Sequence, residues 1–565
     1  MKKIILTILC IFFSFIFSNK NPKIALVLSG GGAKGIAQIP TLQLIDSLNI
    51  PIDYVIGTSM GSITGATYAV GYSSDEIKRK AFLTNWGIIF SNNKYRKDLY
   101  FFQKNDYDKY RIEFEFSGIK PQVPMALING HASYININEA IGIYETINDF
   151  NNLPIPFRCN AVDLLSGNEI IFKQGSLSKS LRASSSIPSI FRPVKDNELL
   201  LVDGGVVNNF PADIADRLDA DIIIGVNVAV SKKNMDDINS FVDVLSQSIL
   251  LNGFKKRLDN LYYTDILIEP NVLTQSTLGF EEDDLIELYN IGYKAAQNKL
   301  SDLIKLKESL EINSPKYVNF SSIKNDIFTI NDILIHSKDN ININDVLKNK
   351  KPPYQILKND FLDYILNLRA SNQYINMHYK LYPFDKNENK YDLHLHIEKA
   401  PEIIISDIIV KGNQKLSKSF IKNIINVKSG DNLDINLLRK NIDNAHNLDY
   451  FDSIRYEIEN SKNNTNLIII VNESTKNNYN SKGDNKKLTK FSKKANELIK
   501  KYNLDKNIFK DSQLIVERDI IKYLDSDNLA NINDSSEISE YYSAKKKSNK
   551  EESDLVRLSK NKLVE

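Results

Sequence analysis

The sequence predicts an α/β fold: a mostly parallel sheet flanked by helices, followed by two small α+β modules and a largely disordered tail. Three observations predict it. Between Lys23 and Lys305, short and continuously apolar runs alternate with helical stretches, the pattern of a parallel sheet buried on both faces. Beyond about residue 311 the order strand, helix, strand, strand occurs twice, offset by about 76 residues as judged from Tyr374 against Tyr450, which marks an internal duplication. From 475 to 565, Lys, Asn, Asp, Ser and Glu dominate, too polar a composition to close a core.

The bulk properties set limits. A chain of 565 residues is longer than one core usually supports, so several domains are expected. Its 72 basic and 70 acidic residues leave a net charge of +2, which argues against a bulk nucleic-acid binder. Residues 1–18 open with Lys2 and Lys3, continue with an apolar run from Ile4 to Phe17 and end at Ser18, the layout of a secretory signal. That run is shorter than the roughly 20 residues that span a bilayer. Cys10 lacks the small preceding residue of a lipoprotein signal, since Ile8 and Leu9 come before it. Export across the inner membrane is therefore expected. Cys159 is the only cysteine after the signal, so an intrachain disulfide and a thiolate metal site are both ruled out. His394 and His396 share one face of an alternating strand with no thiol beside them, and no metal is expected.

The chemistry begins at "LVLSGGGAKGIA". Gly30, Gly32 and Gly35 there spell a G-x-G-x-x-G dinucleotide fingerprint, or else frame a backbone cradle for an oxyanion. A nucleotide site needs an acidic residue at the end of the second strand, to hold the ribose. In its place stands "GTSMG", Gly57 to Gly61. That pentapeptide matches G-x-S-x-G, the strand-to-helix turn that lifts a serine clear of a sheet, with a helix N-terminus beneath the hydroxyl. Both glycine turns follow strands of a parallel sheet and so share its carboxyl edge, where such folds bind ligands. The first is then best read as an oxyanion hole facing Ser59.

A serine nucleophile needs a base. The only histidine between Lys23 and Lys305 is His131, far from where a hydrolase triad would place it. "LLLVDGGVVNNFP" instead brings Asp203 to the end of an apolar strand, with Gly204 and Gly205 leaving space beside it. The plain alternative is a turn-forming Asp-Gly. A carboxylate becomes a useful base when desolvation raises its pKa.

Taken together, G-G-G-x-K-G at Gly30–Gly35, G-T-S-M-G at Gly57–Gly61, "ASSSIPSIFRPV" and D-G-G at Asp203–Gly205 resemble the patatin-like phospholipase family over residues 23–305, with core motifs in 26–216. The resemblance implies a patatin-like fold and a serine esterase or phospholipase that cleaves lipid acyl esters without a cofactor. It makes Ser59 the nucleophile and Asp203 the base. The oxyanion hole falls on the Gly30, Gly31, Gly32, Lys34 and Gly35 loop, chiefly the amides of Gly31 and Gly32, with Lys34 steadying it. Lys34 stands where the family often has Arg, and D-G-G replaces D-G-A. Residues 318–400 and 403–473 resemble POTRA domains, the second more closely. Secreted relatives often continue from such a module into an outer-membrane barrel, for which the roughly 90 residues after 475 offer no alternating strands. The expected partners are a phospholipid or other acyl-ester lipid, a membrane surface and an outer-membrane protein. The expected location is the periplasm, the outer membrane or the exterior. The rival reading is a non-catalytic envelope scaffold that binds lipid, and a dinucleotide oxidoreductase comes third. Trp86 is expected to pack inside the sheet domain with Phe82, Ile89 and Phe90.

Overall fold

A computed structural model describes residues 22–92, 115–117, 120–122, 125–229, 253, 255–312, 316–347, 351–385, 389–448, 450–461 and 464–474. The expected signal at 1–18 and the polar tail at 475–565 lie outside the described residues.

β1 (Ile24–Leu28) reads IALVL and is buried at every position, because both of its faces are covered. Ile24, Leu26 and Leu28 enter one core, while Ala25 and Val27 enter another with Ile56 and Phe210. Each such side chain contributes about 1.5–3 kcal/mol of burial if it is large. A 3-10 turn (Gly32–Gln38) leads into α1 (Ile39–Leu48), then β2 (Tyr54–Gly57), α2 (Met60–Ala69) and α3 (Ser74–Leu83). Trp86 follows in a four-residue helical turn, where its indole donates to the Ala81 carbonyl and stacks on Phe280 at 4.5 Å.

A short hairpin of β3 (Glu115–Ser117) and β4 (Lys120–Gln122) precedes α4 (His131–Ile141), β5 (Phe157–Asp163), β6 (Glu169–Phe172), α5 (Leu177–Ser184), β7 (Val194–Asp196) and β8 (Leu199–Asp203). β9 (Ile222–Val226), β10 (Ile266–Ile268) and α6 (Glu282–Asn298) complete this part. The eight-stranded sheet has the order β10-β9-β1-β2-β5-β8-β7, with β6 also on β5. Five neighbouring strands run parallel, β6 and β8 run antiparallel to β5, and β7 runs antiparallel to β8. The reason is local. β5–β6 and β7–β8 are joined by tight turns, and only antiparallel neighbours can be joined that way.

The register fixes where the loops meet. Leu28 pairs with both Gly57 and Val226, and Gly57 with Cys159, so β1, β2 and β9 end at one edge. β8 descends toward that edge and stops with Asp203 opposite Ala161. Ala161 lies two residues past Cys159, about 7 Å along the strand, so Asp203 arrives just above the turn that follows β2.

Two small sheet modules occupy the remaining chain. The first module contains β11 (Ile327–His336), β12 (Tyr354–Leu357), α7 (Lys358–Ala370), β13 (Tyr374–Asp385) and β14 (Lys390–Lys399), in the order β12-β11-β14-β13. The second contains β15 (Ile405–Lys411), α8 (Lys418–Ile425), α9 (Ile435–His446), β16 (Phe451–Ser461) and β17 (Asn464–Glu473), in the order β15-β17-β16. In each, the first strand lies parallel to the last, and the last lies antiparallel to the strand before it.

The two modules attach differently. The apolar core of the second is continuous with that of the large sheet, whereas the first has a core of its own. The first is fastened by Arg369, whose buried guanidinium pairs with Glu76 and also donates to the carbonyls of Gly71 and Met377. The second presents the edge of β16. Tyr134 Oη donates to the Tyr456 carbonyl at 3.0 Å and accepts from the Tyr456 amide at 3.1 Å, and Asn148 Nδ2 donates to the Ile458 carbonyl at 2.9 Å. Among the described residues, no helix is long and apolar enough to cross a membrane.

Candidate active site

Ser59 occupies the turn between β2 and α2 with φ 53° and ψ −125°, a left-handed conformation that a non-glycine residue adopts only when its surroundings impose it. The imposition comes from close packing. A Cβ on Gly61 would lie 2.4 Å from the carbonyl oxygens of Leu28 and Ser29, so this turn lies directly against the end of β1. Thr58 braces it from below, its hydroxyl donating to Asn160 Oδ1 at 2.8 Å and to the Asn208 carbonyl at 3.1 Å. The Ser59 amide donates to Ser184 Oγ at 3.0 Å, a contact from the end of α5. The Ser59 amide is therefore engaged outside the glycine loop.

Asp203 is 6% exposed and Ser59 5%. The Gly205 amide donates to Asp203 Oδ1 at 2.8 Å, and both that amide and the neighbouring Ser59 hydroxyl favour the ionised carboxylate. Burial pushes the Asp203 carboxyl up from 3.8 to about 6, against the opposing pull of those two neighbours. The backbone of Asp203 is held as well, its amide donating to the Ser186 carbonyl at 2.9 Å.

The glycine loop forms the third side. The amide of Gly30 donates to the Asn209 carbonyl at 3.1 Å, that of Ala33 to Thr277 at 2.9 Å and that of Lys34 to Gly31 at 3.2 Å. The amides of Gly31 and Gly32 make no hydrogen bond among the described residues. Gly32 adopts φ +56°, and a Cβ there would meet the Thr277 carbonyl at 2.3 Å. Gly35, Gly57 and Gly204 are equally tight, each leaving only 2.4 Å for a Cβ. Lys34 is buried in the 3-10 turn. The arrangement brings together a hydroxyl on a strained turn, a carboxylate with a raised pKa and two free amides. Such a set can transfer an acyl group.

Residues 26–216 match the family model described as patatin-like phospholipase. Over that stretch the chain is similar to the patatin-like phospholipases. Residues 403–474 match the POTRA model, described as surface antigen variable number repeat. The patatin-like part is 30% identical over 228 residues to the mouse protein named patatin-like phospholipase domain-containing protein 7, covering 40% of this chain and 15% of that protein. It is 26% identical over 311 residues to lysophospholipase nte1 of Aspergillus niger, covering 50% of this chain and 18% of that protein. The chain thus spans less than a fifth of the length of either relative. A similar solved structure is VipD from Legionella pneumophila, with 16% identity and a TM-score of 0.28, covering 50% of this chain and 67% of that one.

Other residues singled out in the sequence fall outside the patatin-like site. His131 belongs to the boundary with the second module, where Nε2 lies 3.1 Å from Asp443 Oδ1 and the ring stacks on His446 at 3.7 Å. Cys159 is a buried free thiol in the core. His394 and His396 share the outer face of β14, where strand pairing adds His336 and His378 beside them. The full row is hidden in the sequence, because its members come from three separate strands. Among the described residues, no three metal-ligating side chains converge. Sequence reasoning also missed Ser184, Asn209 and Thr277, which reach the site only through tertiary contact. Ser184 lies within "ASSSIPSIFRPV" and Asn209 within "LLLVDGGVVNNFP", whereas no motif marks Thr277.

Proposed function

We propose that this chain is a lipid acyl hydrolase of the phospholipase A or lysophospholipase type, working through Ser59 and Asp203. Asp203 accepts the Ser59 proton as Oγ attacks the ester carbonyl carbon. The amides of Gly31 and Gly32 stabilise the oxyanion of the tetrahedral intermediate. Its collapse expels the leaving alcohol, which takes the proton from Asp203, and leaves an acyl-enzyme. Water then attacks that ester with Asp203 again accepting the proton, and collapse of the second intermediate returns that proton to the departing Ser59 Oγ as the fatty acid is released. No cofactor takes part. One observation carries this reading: the strained Ser59 and the buried Asp203 carboxylate border the same seam between the glycine turns, and burial raises the pKa of that carboxylate into the range of a base.

The test uses purified chain and vesicles of phosphatidylcholine or phosphatidylethanolamine, with released fatty acid read by mass spectrometry. Ser59→Ala should abolish release and fluorophosphonate labelling while the circular dichroism spectrum is kept. Equal release from Ser59→Ala and the unaltered chain would overturn the assignment. Vesicle binding by an unaltered chain that neither labels nor hydrolyses would favour the scaffold reading. The signal-like start and the POTRA match support an envelope location, and the POTRA match an outer-membrane protein partner, as further parts of this proposal.

A further inference from the structure

We propose that Asn209 is a third catalytic side chain, whose carboxamide N–H donates to the substrate oxygen that gains charge when Ser59 attacks; this rests on the acyl-hydrolase reading above. Six residues past Asp203 the chain turns back to the glycine loop, where the Asn209 carbonyl accepts the Gly30 amide at 3.1 Å. The Asn209 side chain lies in the seam between the two glycine turns. Its Oδ1 is 2.3 Å from where a Cβ on Gly30 would be and 2.7 Å from where one on Gly205 would be. The other heavy atoms nearest those two points are Ser59 Cβ at 2.9 Å and Asp203 Oδ1 at 3.0 Å. One carboxamide therefore touches the space where cradle, nucleophile and base meet.

Its neighbour shows what a structural asparagine looks like here. Asn208 is fully buried, its Nδ2 donates to Glu169 and Asp213, and its Oδ1 accepts from Asn260. Asn209 is only partly buried. Among the described residues its carboxamide has no hydrogen-bond partner. An asparagine side chain offers two N–H donors. With Oδ1 lodged against the two glycines, the nitrogen end is what remains for a ligand. A preorganised donor at that point is worth most when the charge develops in the transition state, because water is excluded and no reorganisation is needed.

The experiment compares Asn209→Asp, which keeps the shape but replaces the donor with an acceptor, and Asn209→Ala, in the full chain with phosphatidylcholine vesicles. The expected result is a fall in kcat of about 10²–10³-fold for both, with KM and Tm close to those of the unaltered chain. Asn209→Asp retaining kcat within about threefold would overturn the role. A kcat loss that appears only alongside a lowered Tm, or failure of both variants to fold, would make Asn209 a spacer between the turns and overturn it equally. An unaltered chain with no turnover removes the hydrolase reading, and this role with it. An active chain indifferent to Asn209→Asp removes this role alone.

Discussion

Asp203 is the residue on which pH acts. Its carboxyl titrates near 6 in the folded chain against 3.8 in a model carboxylate, so holding it ionised costs stability. Below about pH 4 both states are protonated and the cost is absent; it grows as pH rises through the folded pKa and is complete above it. A shift of this size corresponds to about 3 kcal/mol. Asn in place of Asp203 should therefore stabilise the chain by up to about 3 kcal/mol at pH 8 and by nothing below about pH 4, as chemical denaturation at the two pH values will show. The same substitution should remove hydrolysis. In the unaltered chain, acyl release should fall on the acid side with a midpoint near 6, since a protonated Asp203 cannot take the Ser59 proton.

At the scale of elements, α5 and the turn after it act as a clasp. Ser184 holds the Ser59 amide, and the Ser186 carbonyl holds the Asp203 amide. Arg182 in turn secures the turn by donating to Ser186 Oγ at 2.6 Å and to the carbonyls of Gly130 and Arg192. Ser184→Ala leaves a buried amide without its acceptor and should cost about 1–3 kcal/mol, read from the denaturation midpoint, together with a drop in kcat. Gly61→Ala should be worse. Its Cβ would press on two strand-end carbonyls, so little folded chain should be recovered. The glycine turns, Ser59 and Asp203 were legible in the sequence because each sits in a contiguous stretch whose local geometry its own residues dictate. The antiparallel course of β8 was not, since its pairing with β5 is made across the intervening β6, α5 and β7 and leaves no mark on the apolar pattern. Nor was His131, whose partner Asp443 is supplied by a segment more than three hundred residues later.

Across the whole molecule, the two modules are parts of the body rather than beads on a string. Removing the Arg369 guanidinium with Ala strands the buried carboxylate of Glu76 and should cost about 3–5 kcal/mol. Replacing both partners with apolar residues of like volume should cost far less, and a double-mutant cycle in urea will separate the two effects. Because the second module shares an apolar core with the patatin-like domain, tryptophan fluorescence from Trp86 and far-ultraviolet circular dichroism should report one coincident transition for that pair. The fastening of β16 has a further consequence. An outermost strand ordinarily offers its bare ladder to any extended chain that drifts past, and so invites sticking between molecules. Here the phenol of Tyr134 and the carboxamide of Asn148 cover that ladder. Tyr134→Phe would uncover it, and the loss would show first as cloudiness in concentrated solutions stored for days.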